Sequence, residues 1–275
     1  MARSGDACRN FLVARYSTLV TFKAIIAVME TNTPMEPRAP AVPWQIRDLI
    51  WASSLILVAI VAINVAYLLA SRAFHSLARP SGEALTFFVL AQDSIMLVAL
   101  WLFSLARYHV GWDTLGWRRF DVRAALKLGA QLFALAYAIR FCYAAFMLAL
   151  GVKLTPQDVV ARLDTTGMGA LLTFFAVTMF APVVEELFFR GFIYGGLRGR
   201  IGATNLGATI VSALIFTALH FTLDQFISIL VLGLFLAWLY EKTGSLIPGI
   251  IFHGVNNAIA LVALYVLKGS GALPM

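Results

Sequence analysis

Residues 49–70 read LIWASSLILVAIVAINVAYLLA, a stretch without a single Asp, Glu, Lys or Arg. The hydrocarbon core of a bilayer, about 30 Å thick, takes roughly 20 apolar residues of helix to cross. Backbone polar groups in lipid must be satisfied internally, and the run shows no alternation of period two, so helix is the predicted form. Working outward, six further runs of the same kind fall at about 86–106, 126–150, 170–194, 205–221, 226–240 and 246–267. The expectation is an all-α fold, a polytopic transmembrane bundle of about seven membrane-spanning helices.

The composition agrees. Of the 275 residues 61% are hydrophobic and 13% charged, where a soluble domain carries about a quarter charged residues. That excludes a disordered chain. The net charge of +7 does not point to nucleic acid, because the basic residues form no helical stripe with interleaved aromatics. They follow membrane topology instead. Arg38, Arg47, Arg107, Arg118, Arg119, Arg123, Lys127, Arg198 and Arg200 fall in alternate connections, against Arg72, Arg79, Lys153, Arg162 and Lys268 in the others. The positive-inside rule then predicts a multi-pass cell-membrane protein with a cytoplasmic N-terminus. Cys8 and Cys142 form no framework and are read as free thiols.

Residues 1–44 differ from the rest. The segment 31–43, TNTPMEPRAPAVP, is Pro-rich and reads as a linker, so 1–44 is expected to be an N-terminal extension and 45–275 a single transmembrane domain. Residues 11–29 are interrupted by Arg15 and Lys23 and lack the clean apolar centre of a signal peptide. Translation starting at Met29 or Met35 is the alternative.

Ionisable groups inside apolar spans are costly and therefore informative. Three clusters stand out: Glu185, Glu186 and Arg190 in the fourth run, His220 at the end of the fifth, and His253 with Asn256 and Asn257 in the seventh. Glu186 and Arg190 are four apart and share a helix face, which leaves Glu185 without an in-helix cation. Pro182 is expected to kink the helix just before the pair and to open a wet pocket there. His253 and Asn257 are again one turn apart, with Gly249 and Gly254 allowing close approach of another backbone. A carboxylate without a cation, two imidazoles and an amide are the parts needed to attack an amide with water. The same groups would also make a buried network that only fastens helices, as in a membrane immunity or scaffold protein. A transporter with midplane carboxylates is a third reading, against which stands the lack of a detectable inverted repeat.

Three motifs now line up: EELFFR (Glu185–Arg190) as EExxxR, FTALH (Phe216–His220) as FxxxH, and HGVNN (His253–Asn257) as HxxxN. Together, over about 165–268, they resemble the CPBP (ABI) family of intramembrane endopeptidases. That family includes the type II CAAX prenyl endopeptidase and lysostaphin-resistance-like and bacteriocin-processing proteins. The resemblance implies hydrolysis of a peptide bond in a membrane-associated protein or peptide, as in CAAX-type processing or bacteriocin and peptide maturation. It implies that Glu185 and His220 activate water, that His253 and Asn257 form an oxyanion hole, and that Glu186 and Arg190 support them. Members are commonly called metalloproteases, so zinc would draw on His220 and His253, with Glu185 as a third ligand, although no HExxH is present and water activated without metal is the simpler expectation.

Asp93 and Arg140, at comparable depth on the second and third runs, are expected to form an ion pair. One tension concerns depth: Glu185 and His253 lie toward the basic ends of their helices, whereas His220 lies near the far end of its own. A turn around Asp224 sunk within the bundle would reconcile them.

Overall fold

The structure is a computed structural model and describes residues 39–73, 81–152, 167–201, 205–220 and 225–270. The upstream extension with its alternative starts, most of the Pro-rich segment, and the turn at Asp224 lie outside the described residues. Seven principal helices are present: α1 Ile46–Ala73, α2 Gly82–Ala106, α3 Val122–Ala149, α4 Gly167–Leu197, α5 Leu206–Ala218, α6 Phe226–Thr243 and α7 Leu246–Gly269. Six are long and apolar enough to cross a membrane. The exception is α5, whose 13 residues span only about 20 Å at ~1.5 Å each.

Side-chain caps begin three of these helices. Ser81 accepts from the Ala84 N–H, Asp121 from Ala124 and Ser245 from Ile247, each satisfying a donor that the helix itself leaves unpaired. Apolar side chains cover much of the outer surface, Trp51, Phe141 and Leu171 among them, as expected when the surrounding solvent is hydrocarbon.

The central element is α4. It packs against α2, α5 and α7, and the basic end of α1 reaches its last turn. Its coil is not uniform: Ala176–Phe180 and Glu186–Tyr194 are π-helical, separated by an α-helical turn Ala181–Glu185 that carries Pro182. Proline has no N–H to give to the carbonyl four residues back, that of Thr178, so the local irregularity has a direct cause. The other helices use the exposed carbonyls. Asn257 donates to Val177 O (3.0 Å), Ser212 to Phe189 O (3.0 Å) and the Trp44 indole to Phe192 O (2.9 Å). Trp44 is fully buried, so the residues that lead into α1 are anchored in the core.

One end of the bundle gathers the basic connections. Arg198 pairs with Glu241 at 2.9 Å and donates to Ala39 O at 2.8 Å. Glu241 also accepts from Tyr194 and Asn205. Asp48 at the start of α1 takes Arg107 and Tyr108 from the end of α2. The 107–121 connection runs across this end. Its Trp112–Leu115 turn buries Leu115 beneath α4, where Gly191 leaves room: a Cβ there would lie 3.0 Å from Leu115 O. Gly116, at φ +101°, then takes the Leu246 N–H on its carbonyl, and Leu115 O accepts from Tyr240.

This crossing overturns one expectation. It delivers α3 to a position against α6 and α7, and among the described residues α3 does not pack alongside α2. The Asp93–Arg140 ion pair is therefore not formed: Arg140 donates to Asn256 Oδ1 at 2.5 Å instead. Helices adjacent in sequence are neighbours only when the connection is too short to travel, and a connection of this length is not.

Candidate active site

Glu186 sits at the centre of the site and is fully buried. Its Oε1 accepts from Arg190 Nη1 at 2.8 Å and from His253 Nδ1 at 3.0 Å. The backbone of α7 approaches it through Gly249, where an added Cβ would lie 3.1 Å from Glu186 Oε2. Arg190, also fully buried, donates from Nη2 to Gly233 O on α6 and lies 4.5 Å over the Phe216 ring. A desolvated cation on an aromatic face contributes about 2 kcal/mol. The spacing argument holds here: Glu186 and Arg190 pair, and Glu185 is left over.

Among the described residues Glu185 pairs with no Lys or Arg. Its Oε2 is buried and has no hydrogen-bond partner, and it lies 3.6 Å from His253 Nε2. That distance permits charge attraction but is too long for a hydrogen bond. His253 thus lies between the two glutamates, with one ring nitrogen on each.

Phe216 explains the aromatic position of the FxxxH pattern. Its ring centroid lies 4.6 Å from that of His220, 5.8 Å from that of His253 and 5.1 Å from that of Phe189. Both imidazoles and the Arg190 guanidinium are thus positioned around one buried ring. His220 Nδ1 lies 2.7 Å from Phe216 O. A carbonyl can only accept, so Nδ1 carries the proton and the neutral ring presents an unprotonated Nε2. His220 at the end of α5 and His253 on α7 both flank the Phe216 ring, which brings the two imidazoles into one neighbourhood.

Asn257 is placed less directly. Its amide nitrogen holds Val177 O, and its Oδ1 accepts from Asn256 Nδ2 at 3.1 Å. Arg140 on α3, Asn256 and Asn257 on α7, and Val177 on α4 therefore form one hydrogen-bonded chain, which fixes the orientation of the Asn257 amide. Beside it, Gly254 faces the Thr178 carbonyl freed by Pro182, and a Cβ at Gly254 would come within 2.6 Å of that oxygen.

The metal expectation is not supported by the arrangement. Among the described residues no group of three or more His, Cys, Asp or Glu is placed to hold a metal ion.

Sequence reasoning did not count Asp93 among the site residues. It is buried on α2, which packs against the Ala181–Glu185 turn of α4, and its Oδ2 is unpartnered. The signal available was the general one, that an acid inside a membrane span is a functional candidate until its partner is identified.

Comparison with known proteins fits this arrangement. Residues 167–259 match the family model described as type II CAAX prenyl endopeptidase Rce1-like. This stretch is similar to that family. It covers roughly a third of the chain and includes Glu185, His220, His253 and Asn257. The expected resemblance to the CPBP family thus holds over α4 to α7, and the family concerned is one of membrane proteases. No curated protein and no solved structure matches the chain.

Proposed function

We propose that the chain is an intramembrane endopeptidase in which Glu185 is the general base. The observation that carries this reading is the contrast between the two adjacent glutamates. Glu186 is fully enclosed and binds both Arg190 and His253 through Oε1, whereas Glu185 makes neither bond and its side chain keeps 18% of its surface exposed. In the proposed reaction Glu185 takes a proton from a water lying beside the His220 imidazole as the water oxygen attacks the carbonyl carbon. The Nε2–H of His253, in its imidazolium form, and the second N–H of Asn257 stabilise the oxyanion. The proton then passes from Glu185 to the leaving amine nitrogen as the C–N bond breaks. Glu186 and Arg190 hold His253 in place. The substrate class is a membrane-associated protein or peptide cut near the basic face, which we read as cytoplasmic together with the N-terminus.

The deciding experiment is cleavage of membrane-anchored peptides, prenylated CAAX tails and unmodified ones alike, by protein in lipid nanodiscs. Glu185→Gln should lower kcat by about 100-fold or more, since an amide cannot take the proton, with an unchanged thermal transition. Equal cleavage by the wild type and Glu185→Gln would remove the mechanism. A folded wild type inert to every such peptide would favour a network that only fastens helices.

A further inference from the structure

The Rce1-like stretch does not contain every carboxylate at its centre. Asp93 comes from α2, outside residues 167–259, and is only 3% exposed on a helix long enough to span a bilayer. Its Oδ2 is buried and has no hydrogen-bond partner, as is also true of Glu185 Oε2 and of Glu186 Oε2, although Glu186 already binds Arg190 and His253 through Oε1. The cation that might have neutralised it is committed elsewhere: Arg140 is bonded to Asn256. Arg190, the other buried cation nearby, is taken by Glu186 and Gly233 O. The side of α2 that bears Asp93 packs along α4, including its Ala181–Glu185 turn. The buried Thr86–Thr173 hydroxyl pair, at 2.8 Å, fixes the register of the two helices.

Asp93 and Glu185 thus each carry a buried acceptor without a protein donor, on helical segments that pack together, and a donor common to both would satisfy the two. A water molecule has two hydrogens and can satisfy one oxygen of each. We propose that Asp93 is a second catalytic carboxylate, sharing with Glu185 the water that attacks the peptide bond. This rests on the reading of Glu185 as base and extends it. One water hydrogen goes to Glu185 and then to the leaving amine. The other stays on the attacking oxygen and becomes the hydroxyl hydrogen of the new carboxylic acid, held by Asp93 until the product ionises. Two carboxylates on one water would orient its lone pair toward the carbonyl, which neither does alone. The other titratable or charged groups of the centre are Glu186 and Arg190 on α4, His220 on α5 and His253 on α7.

The test uses the full chain in nanodiscs with the anchored peptides above, comparing Asp93→Asn, Asp93→Glu and Gln92→Leu, the last on the exposed side of α2. Asp93→Asn should lower kcat by about 100-fold, with KM within about threefold and one limb of the pH profile displaced, while Gln92→Leu stays within about twofold of wild type. Asp93→Glu, which keeps the carboxylate, should restore the limb at reduced kcat. A purely structural acid would leave the limb in place in any variant that folds, and that outcome overturns the proposal. Infrared titration of the carboxyl bands gives a readout independent of cleavage. In a coupled pair, Asp93→Asn shifts the titration of the Glu185 band and Glu185→Gln shifts that of Asp93. Independent bands would overturn the proposal even in an active enzyme. Coupled bands in a protein that cuts nothing would instead place the failure in the peptidase reading.

Discussion

Phe216 shows most clearly how a single residue organises the site. It carries no chemistry of its own, yet its ring bears the Arg190 guanidinium and touches both imidazoles. Phe216→Leu would keep the volume roughly but remove the aromatic face. The expected result is a loss of about 2 kcal/mol of stability from the cation–π contact, together with a large fall in kcat as His220 loses its support. Thermal unfolding and cleavage measured on the same preparation would check both parts. Trp44→Phe is the milder counterpart. It deletes the indole N–H that Phe192 O accepts and should cost about 1 kcal/mol with little change in kcat. A drop in kcat as large as that of Phe216→Leu would mean that the α4 carbonyls are not independent of the site.

Among the elements, α4 and α7 decide the geometry together. Pro182 interrupts the α4 ladder, which exposes the Thr178 carbonyl, and Gly254 lets α7 approach it closely. A methyl group at Gly254 would meet backbone oxygen at 2.6 Å, and backbone cannot swing away as a flexible side chain can. Gly254→Ala should therefore destabilise by about 1–3 kcal/mol. It should also move His253 away from Glu186, seen as lost cleavage in a protein that still inserts and folds. Wild-type activity in this variant would show that the approach of α7 is not what positions His253. The Arg140 to Val177 chain makes a second prediction at this scale. Arg140→Met should leave Asn256 Oδ1 unsatisfied, at a cost of about 1–3 kcal/mol, and should slow cleavage by loosening Asn257. Melting curves beside kcat would show whether both effects occur.

For the whole molecule, the basic end acts as a clasp. Glu241 is buried and receives Arg198 through two nitrogens, Tyr194 and Asn205, so it ties α6 to the end of α4 and the start of α5. Removing one partner of a buried pair leaves the other uncompensated, and Glu241→Ala should cost about 3 kcal/mol in thermal stability. The clasp also gives the proposed orientation a test. In a background without Cys8 and Cys142, single cysteines at Arg119 and at Ser81 mark opposite ends of the bundle. An impermeant maleimide applied to intact cells should label the Ser81 position and spare the Arg119 position. The reverse pattern would invert the topology.

The sequence alone carried the fold class. Seven apolar runs of near-bilayer length allow only one kind of secondary structure in lipid, so their number and approximate limits could be read without coordinates. It carried most of the site as well, because a polar group inside a span is expensive enough to be conspicuous, and spacing of four places Glu186 on Arg190. What tertiary structure alone decided was which helices meet. The connection after α2 is long enough to cross the end of the bundle, which separates Asp93 from Arg140 and leaves α2 packed against the turn that ends in Glu185. The packing of α5 and α7 against α4 brings His220 and His253 together around Phe216. Such contacts depend on the path of a loop and the pitch of a coil, and residue spacing along one chain contains neither.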